Sequence, residues 1–263
     1  MAEFGSKITK TFCEEALNLA DNERGKPTDR ERNRIFGLST PRNRILINNL
    51  CSKENINFLE IGVYKGATLI SALIDNPNVK AVAVEHFLYD DRESPKQAPE
   101  GYIWDNMKSQ LYDNINIYRN EKDRLNSDNI TFIEKPFEEV DWSKQPKFDV
   151  VHFDVAPITP NTYEDFFNLV VPALSADSVV VFTQQSNPAY AELLNKAILK
   201  HSDKVSEEFK EYRISNSMSD SFKFFSGIAM VGFKKKTATA AKPVSKPSTP
   251  VANVKTTSTT VKK

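Results

Sequence analysis

The sequence predicts an α/β fold: a mostly parallel sheet of seven strands, helices on both faces and an antiparallel last strand. Three observations carry this. From Ile56 onward, short runs rich in Val, Ile and Phe alternate with stretches of helical spacing, the pattern of a parallel sheet buried on both faces. Two late runs, "EEFKEYRIS" and "SGIAMVGFKK", follow one another with no helix between them, so they pair as an antiparallel hairpin at one end. The first run passes through Gly62 and Gly66 into an amphipathic stretch, "NFLEIGVYKGATLISAL". Ligands of open α/β sheets bind beyond the carboxyl ends of the strands, where such a turn lies.

The elements follow in order. Lys10–Asp21 spaces Phe12, Ala16, Leu17, Leu19 and Ala20 in a helical rhythm. "NERGKPTDRERNR" is a charged connector, and "STPRNRILINNLC" restarts a helix with Ser39 or Thr40 as its cap and Pro41 at its first position. Residues 1–50 thus read as a helical extension. "INFLEI" is the first strand, "ATLISALID" a helix, "NPN" a turn and "VKAVAVE" the second strand. A polar loop over residues 86–101 leads to helical spacing in "YIWDNMKSQLYDNINIYRNE". "NITFIE" and "KFDVVHFD" are the third and fourth strands, the latter ending on Asp154. "TYEDFFNLVVPAL" is a helix, "SVVVFT" the fifth strand, and "PAYAELLNKAILKH" a helix capped by Asn187. The hairpin closes a domain over residues 51–234. Residues 235–263 are rich in Lys, Thr and Pro and carry no aromatic residue. They cannot bury enough surface to offset chain entropy, so a disordered tail is expected.

Composition narrows the function. The 263 residues carry 35 basic and 35 acidic side chains. Eight of the lysines lie from Lys234 onward, where there is no acid, so residues 1–233 carry a net charge of about −8. An acidic body is a poor general nucleic-acid binder; only the basic tail suits a polyanion. Cys13 and Cys51 are too few for a disulfide framework and lack metal-ligand spacing, so they read as buried or idle thiols in a reducing compartment. No stretch reaches the roughly 18–20 apolar residues of a membrane span, and the N-terminus lacks the apolar core of a secretory signal. A soluble, cytoplasmic protein without a membrane partner is expected.

The glycine turn excludes phosphate cradles. A dinucleotide fingerprint needs a middle glycine where this chain has Tyr64, and a Walker loop needs Lys-Ser/Thr where Gly66 is followed by Ala67 and Thr68. The carboxylate at Glu60, two residues before Gly62, suits a cationic ligand group, while backbone N–H groups near Gly62 and Gly66 suit a carboxylate. S-adenosylmethionine carries both, together with a ribose diol. Glu85, 19 residues after Gly66 at the end of the second strand, is placed to accept hydrogen bonds from that diol.

On these residues the chain resembles a bacterial and phage group of class I SAM-dependent methyltransferases, related to sugar and small-molecule O-methyltransferase-like proteins. The resemblance spans residues 38–233 and is carried by "STPRNRILINNLC" and "LEIGVYKGAT". It implies the Rossmann-like class I methyltransferase fold and S-adenosyl-L-methionine as cofactor. It further implies that Glu60, Gly62, Tyr64 and Gly66 line the donor and that Glu85 holds the ribose. Residues 135–137 would lie beside the adenine, with Phe137 packing on it. His86 either packs on the ribose or adenine or simply starts a loop.

Metal-assisted relatives place an aspartate after the fourth strand and an acidic pair after the fifth. This chain keeps Asp154 and a later "TYED", but reads "VAPITPN" between them and Thr183-Gln184-Gln185-Ser186 where the pair belongs. Amide oxygens are weak ligands for a hard cation, so no tightly bound metal is expected. Asp154 is the candidate for orienting or deprotonating the methyl acceptor; the plainer reading is a strand-end carboxylate satisfying loop N–H groups. His152 reads as a core histidine and His201 as solvent-facing. The expectation is a methyltransferase acting on a small-molecule or sugar-like hydroxyl or amine. The alternative is a catalytically silent SAM-fold module tethered through its basic tail. A nucleic-acid methyltransferase is disfavoured by the acidic body and by the lack of an Asn-Pro-Pro-aromatic tetrad after the fourth strand.

Overall fold

The computed structural model describes residues 8–27, 34–35, 37–87, 106–119, 124–157, 159–213, 224 and 226–234. The expected tail and most of the expected loop after His86 lie outside these residues. In chain order the elements are α1 (Lys10–Asp21), α2 (Pro41–Leu50), β1 (Asn57–Ile61), α3 (Ala67–Leu73), β2 (Lys80–Val84), α4 (Met107–Arg119) and β3 (Ile130–Ile133). There follow β4 (Phe148–Phe153), α5 (Thr162–Leu169), β5 (Leu174–Phe182), α6 (Pro188–Lys200), β6 (Val205–Arg213) and β7 (Ile228–Lys234).

The seven strands form one sheet in the order β3-β2-β1-β4-β5-β7-β6. Strands β1 to β5 pair in parallel, while β7 runs antiparallel to both β5 and β6. The fold is the Rossmann-like one expected, with its antiparallel last strand inserted between the fifth and sixth.

Strand alternation sorts the core into two layers. Phe58, Ala81, Ala83, Val150, Val181 and Met230 face α1, α2, α3 and α4 in one apolar cluster. Leu59, Ile61, Val82, Val84, Val151, Phe182 and Val231 face α5 and α6 in the other. Aromatic rings fill the second layer: Phe153 meets Phe166 edge-on at 4.9 Å, and Phe182 meets Phe166 at 5.2 Å and Tyr163 at 5.8 Å between ring centroids. Arrangements of this kind add to the area they bury.

Helix starts follow the sequence signals. The Thr40 hydroxyl accepts from the Asn43 N–H with Pro41 at the first turn of α2, and the Asn187 side chain accepts from the Ala189 N–H at the start of α6. Both cysteines are buried and free. Burial pushes the Cys13 thiol up to about 12 and the Cys51 thiol well above its ordinary value, which leaves both unreactive. His201 departs from expectation. It closes α6, is buried, and stacks on Phe167 with ring centroids 5.1 Å apart; the apolar face of its ring is worth more against Phe167 than in water.

Candidate functional site

The parallel strands end together, and the chain leaves β1, β2 and β4 on the same side of the sheet. There the β1–α3 turn makes two tight bends. Gly62 sits at φ +86° and Gly66 at +79°, both in the left-handed region that glycine alone adopts without strain. A Cβ at Gly62 would stand 2.3 Å from the Asp154 carbonyl oxygen, and one at Gly66 would stand 2.4 Å from Leu111 Cδ1. Tyr64, between them, holds φ +52° with a full side chain.

The carboxylate that pins this strained turn is Glu85. Its Oε2 accepts from the Val63 and Tyr64 N–H groups at 2.9 and 3.0 Å, and its Oε1 from those of His86 and Phe87 at 2.9 and 3.3 Å. Four charge-assisted contacts of this type fix the β1 and β2 ends to one another.

Glu60 lies directly opposite His152 in the β1–β4 ladder. Both are buried, at 1% and 2% exposure, and His152 Nδ1 lies 2.9 Å from Glu60 Oε1. Burial raises the Glu60 carboxyl to about 7 against the opposing hydrogen bond and charge of His152. Burial would pull the His152 imidazole down, but the hydrogen bond and charge of Glu60 outweigh it, so its pKa rises. The pair therefore holds a proton into the neutral range. Glu60 Oε2 has no hydrogen-bond partner.

Asp154 follows β4. Its N–H donates to the Ile61 carbonyl, and its Oδ1 accepts from the Thr183 hydroxyl and, at 3.4 Å, from Gln184 Nε2. Gln184 is held at φ +61°. Thr183 and Gln184 thus fasten Asp154. Among the described residues no three His, Cys, Asp or Glu are grouped to hold a metal ion.

These residues surround one cavity of about 970 Å³, large enough for two small molecules side by side. Of the sequence-predicted residues, Glu60, Gly62, Tyr64, Glu85, His86, Phe137 and Asp154 line it, whereas Gly66 lies behind the wall against Leu111. Phe137 also anchors in the second core layer, edge-on to Phe153 at 5.5 Å. The sequence reading did not single out four contributors. Gly37, Ser39 and Asn43, from the segment that enters α2, form part of the wall. A Cβ at Gly37 would stand 2.4 Å from that of Ala67, so this glycine lets the segment lie directly on the start of α3. Tyr190 of α6 also lines the cavity. The polar residues of "STPRNRILINNLC" carry no periodic signal that separates a cavity wall from a solvated face.

No protein-family model and no curated protein sequence matches the chain. Similar solved structures include a SAM-dependent O-methyltransferase from Thermotoga maritima, at 13% identity and TM-score 0.48 over 84% of this chain and 71% of that one. A precorrin-6y C5,15-methyltransferase from Geobacter metallireducens is 15% identical with TM-score 0.46, covering 73% of this chain and 86% of its own. An rRNA methylase from Streptococcus thermophilus is 9% identical with TM-score 0.44, covering 72% and 92%.

Proposed function

We propose that this protein is an S-adenosylmethionine-dependent methyltransferase acting on a hydroxyl or amine of a small, sugar-like molecule. The observation that carries the reading is a cavity over the carboxyl ends of β1, β2 and β4 that is lined by Glu60, Glu85 and Asp154 together with the glycine turn. The donor fits what the turn side offers. The unpartnered Glu60 Oε2 suits its ammonium, the absence of side chains at Gly62 lets backbone approach it, and Phe137 gives an apolar ring to an adenine. Glu85 already accepts four backbone N–H groups, so ribose hydroxyls would share or replace the longest of these contacts, from Phe87.

The donor supplies an activated methyl group; the chain supplies position and a proton acceptor. Holding two reactants in line accounts for much of such an acceleration. Asp154, oriented by Thr183 and Gln184, accepts a hydrogen bond from the acceptor's hydroxyl and draws its proton away as the new bond forms. The same cavity is lined by Thr183, Gln184, Ser186, Asn187 and Tyr190, neutral hydrogen-bonding groups with one aromatic ring that support a polyhydroxylated acceptor.

Calorimetric titration with S-adenosylmethionine and S-adenosylhomocysteine tests the donor site. Saturable binding of both is expected, and no heat at millimolar donor would sink the reading. With binding in hand, transfer of labelled methyl to a panel of sugars and amino sugars tests the acceptor class. Asp154→Asn is expected to keep donor binding and lower kcat about 10²–10⁴-fold.

A further inference from the structure

One motif of the sequence plays no part in the cavity just described: eight lysines from Lys234 onward, with no acid among them. Lys234 ends β7 and lines a second groove, of about 540 Å³, together with Lys147 and Lys204. Lys147 directly precedes β4 and Lys204 directly precedes β6. The Lys234 N–H donates to the Lys204 carbonyl at 3.3 Å, and Leu174, which opens β5, lines the same groove. These lysines therefore gather at the amino ends of β4, β5 and β6, whereas the first cavity lies over the carboxyl ends. β5 has nine residues, so the two sites are roughly 30 Å apart.

Charge is divided between the two ends. The first cavity is lined by Glu60, Glu85, Glu138 and Asp154 against one lysine, Lys135. In the groove every titratable lining residue is a lysine, although residues 1–233 carry a net charge of about −8. Asp177, opposite Lys234 in the β5–β7 ladder, does not line it. Lys147 Nζ donates to the Pro172 carbonyl, and Lys204 Nζ lies 3.3 Å from His201 Nδ1. Burial and the Lys204 charge push the His201 imidazole below its ordinary value, so neither partner offsets a lysine's charge. An ammonium has three donors, and each lysine keeps some of them for an anion. The rest of the lining is mostly apolar, Val171, Pro172 and Phe233 included.

We propose that this groove, with the lysines that follow Lys234 in the sequence, binds single-stranded nucleic acid through its phosphates, at the end of the sheet away from the first cavity. The expectation that only the tail suits a polyanion is thereby widened to two lysines of the body. At physiological salt a charge is screened over about 8 Å, so the acids of the first cavity do not reach a strand held here. Lysines neutralise phosphates without reading bases, so binding is indifferent to sequence. The apolar lining suits the faces of unpaired bases, which a duplex keeps inside its stack. An acidic peptide matches the charge as well, but it lacks the dense phosphates whose condensed counterions are released on binding, and that release favours the nucleic acid on a body of net negative charge.

The test is fluorescence anisotropy of a labelled oligothymidylate with the full chain across a salt series. For a single strand, each phosphate neutralised contributes about −0.7 to the slope of log K against log salt. The double variant Lys147→Gln, Lys204→Gln is expected to flatten that slope by about 1.4 and to weaken binding about tenfold at low salt. The pair Lys147→Arg, Lys204→Arg should keep both at wild-type values, and it keeps the test open if the glutamine variant melts lower. Changing Lys242 and Lys246 to Gln should add a separate loss, and S-adenosylhomocysteine should leave the affinity unchanged. A wild-type slope and affinity in the glutamine variant would assign the strand to the tail alone and overturn the groove. So would displacement by S-adenosylhomocysteine, which would put the strand in the first cavity. Polyglutamate bound as tightly as oligothymidylate would make the groove a surface for an acidic protein, and a duplex bound more tightly would take away the role of the apolar lining; either result overturns the proposal, as does an oligothymidylate that fails to bind at low salt.

Discussion

The tolerance of the site for change is smallest where backbone meets backbone. Gly62 is in the left-handed region, and the atom its Cβ would strike is the Asp154 carbonyl oxygen, which cannot swing aside because the Asp154 N–H is bonded to Ile61. Gly62→Ala combines roughly 1–2 kcal/mol of conformational strain with that clash, so urea denaturation is expected to register a loss of at least about 2 kcal/mol, and donor binding is lost with it. The Glu60–His152 pair gives a second residue-scale expectation. Both pKa values are raised on folding, so the folded state binds more protons than the unfolded chain, and stability falls as pH rises. For Glu60 the window runs from its ordinary value of 4.5 to about 7. The titratable groups that set its charge are His152, Asp154 and Glu85, and it in turn raises Cys51. Thermal melts from pH 5 to 7 should show wild type losing stability relative to Glu60→Gln as the pH rises; parallel curves would refute the assignment. None of this pairing was legible in the sequence. Glu60 and His152 are 92 residues apart, and only the register of two parallel strands sets them face to face.

At the level of elements, the joint between α2 and α3 explains why the N-terminal segment can form a cavity wall. Asn48 is fully buried in α2, and its Nδ2 donates at 2.8 Å to the carbonyls of both Ser71 and Ile74 at the end of α3. Asn76 replies, its Nδ2 donating to the Asn48 and Ala72 carbonyls. These side chains satisfy carbonyls that a helix end leaves open. Asn48→Leu would bury the Ser71 and Ile74 carbonyls unpaired, a cost of about 2–4 kcal/mol, readable as a lower denaturation midpoint with an unchanged slope. The helices and strands themselves were legible, because β-branched runs, Pro41 and the Thr40 and Asn187 caps act locally. The joint was not. Asn48 and Asn49 in "INNLC" look alike in sequence, yet one grips α3 and the other donates to the Arg24 carbonyl. His201 shows the same limit, since its position at a helix end says nothing of Phe167 waiting beneath it.

Across the whole molecule, the helical extension of residues 1–50, which the sequence does not mark as a separate domain, contributes to the core of the sheet. Cys13, Ala16, Leu17 and Ala20 of α1 are at most 2% exposed and belong to the same apolar cluster as Phe58, Ile70 and Met230. Burying these four side chains is worth roughly 3–6 kcal/mol, a large part of the stability of a single domain. An appended unit would unfold separately and leave the sheet unaffected by its loss. A shared core unfolds as one. Urea denaturation followed by far-ultraviolet circular dichroism and by tryptophan fluorescence, to which Trp142 against Phe148 in the opposite layer contributes, should therefore give coincident curves. Deleting residues 1–24 should shift both together by that amount. The deletion also removes the support of α2, which packs on α1 and carries Asn43. Its effect on binding should thus exceed its effect on any one contact: S-adenosylhomocysteine affinity is expected to fall by more than tenfold even under conditions where the shortened chain remains folded. Two separated transitions, or a truncated chain of wild-type stability, would make the first helices an accessory. Coincident transitions make them part of the wall that holds the ligand.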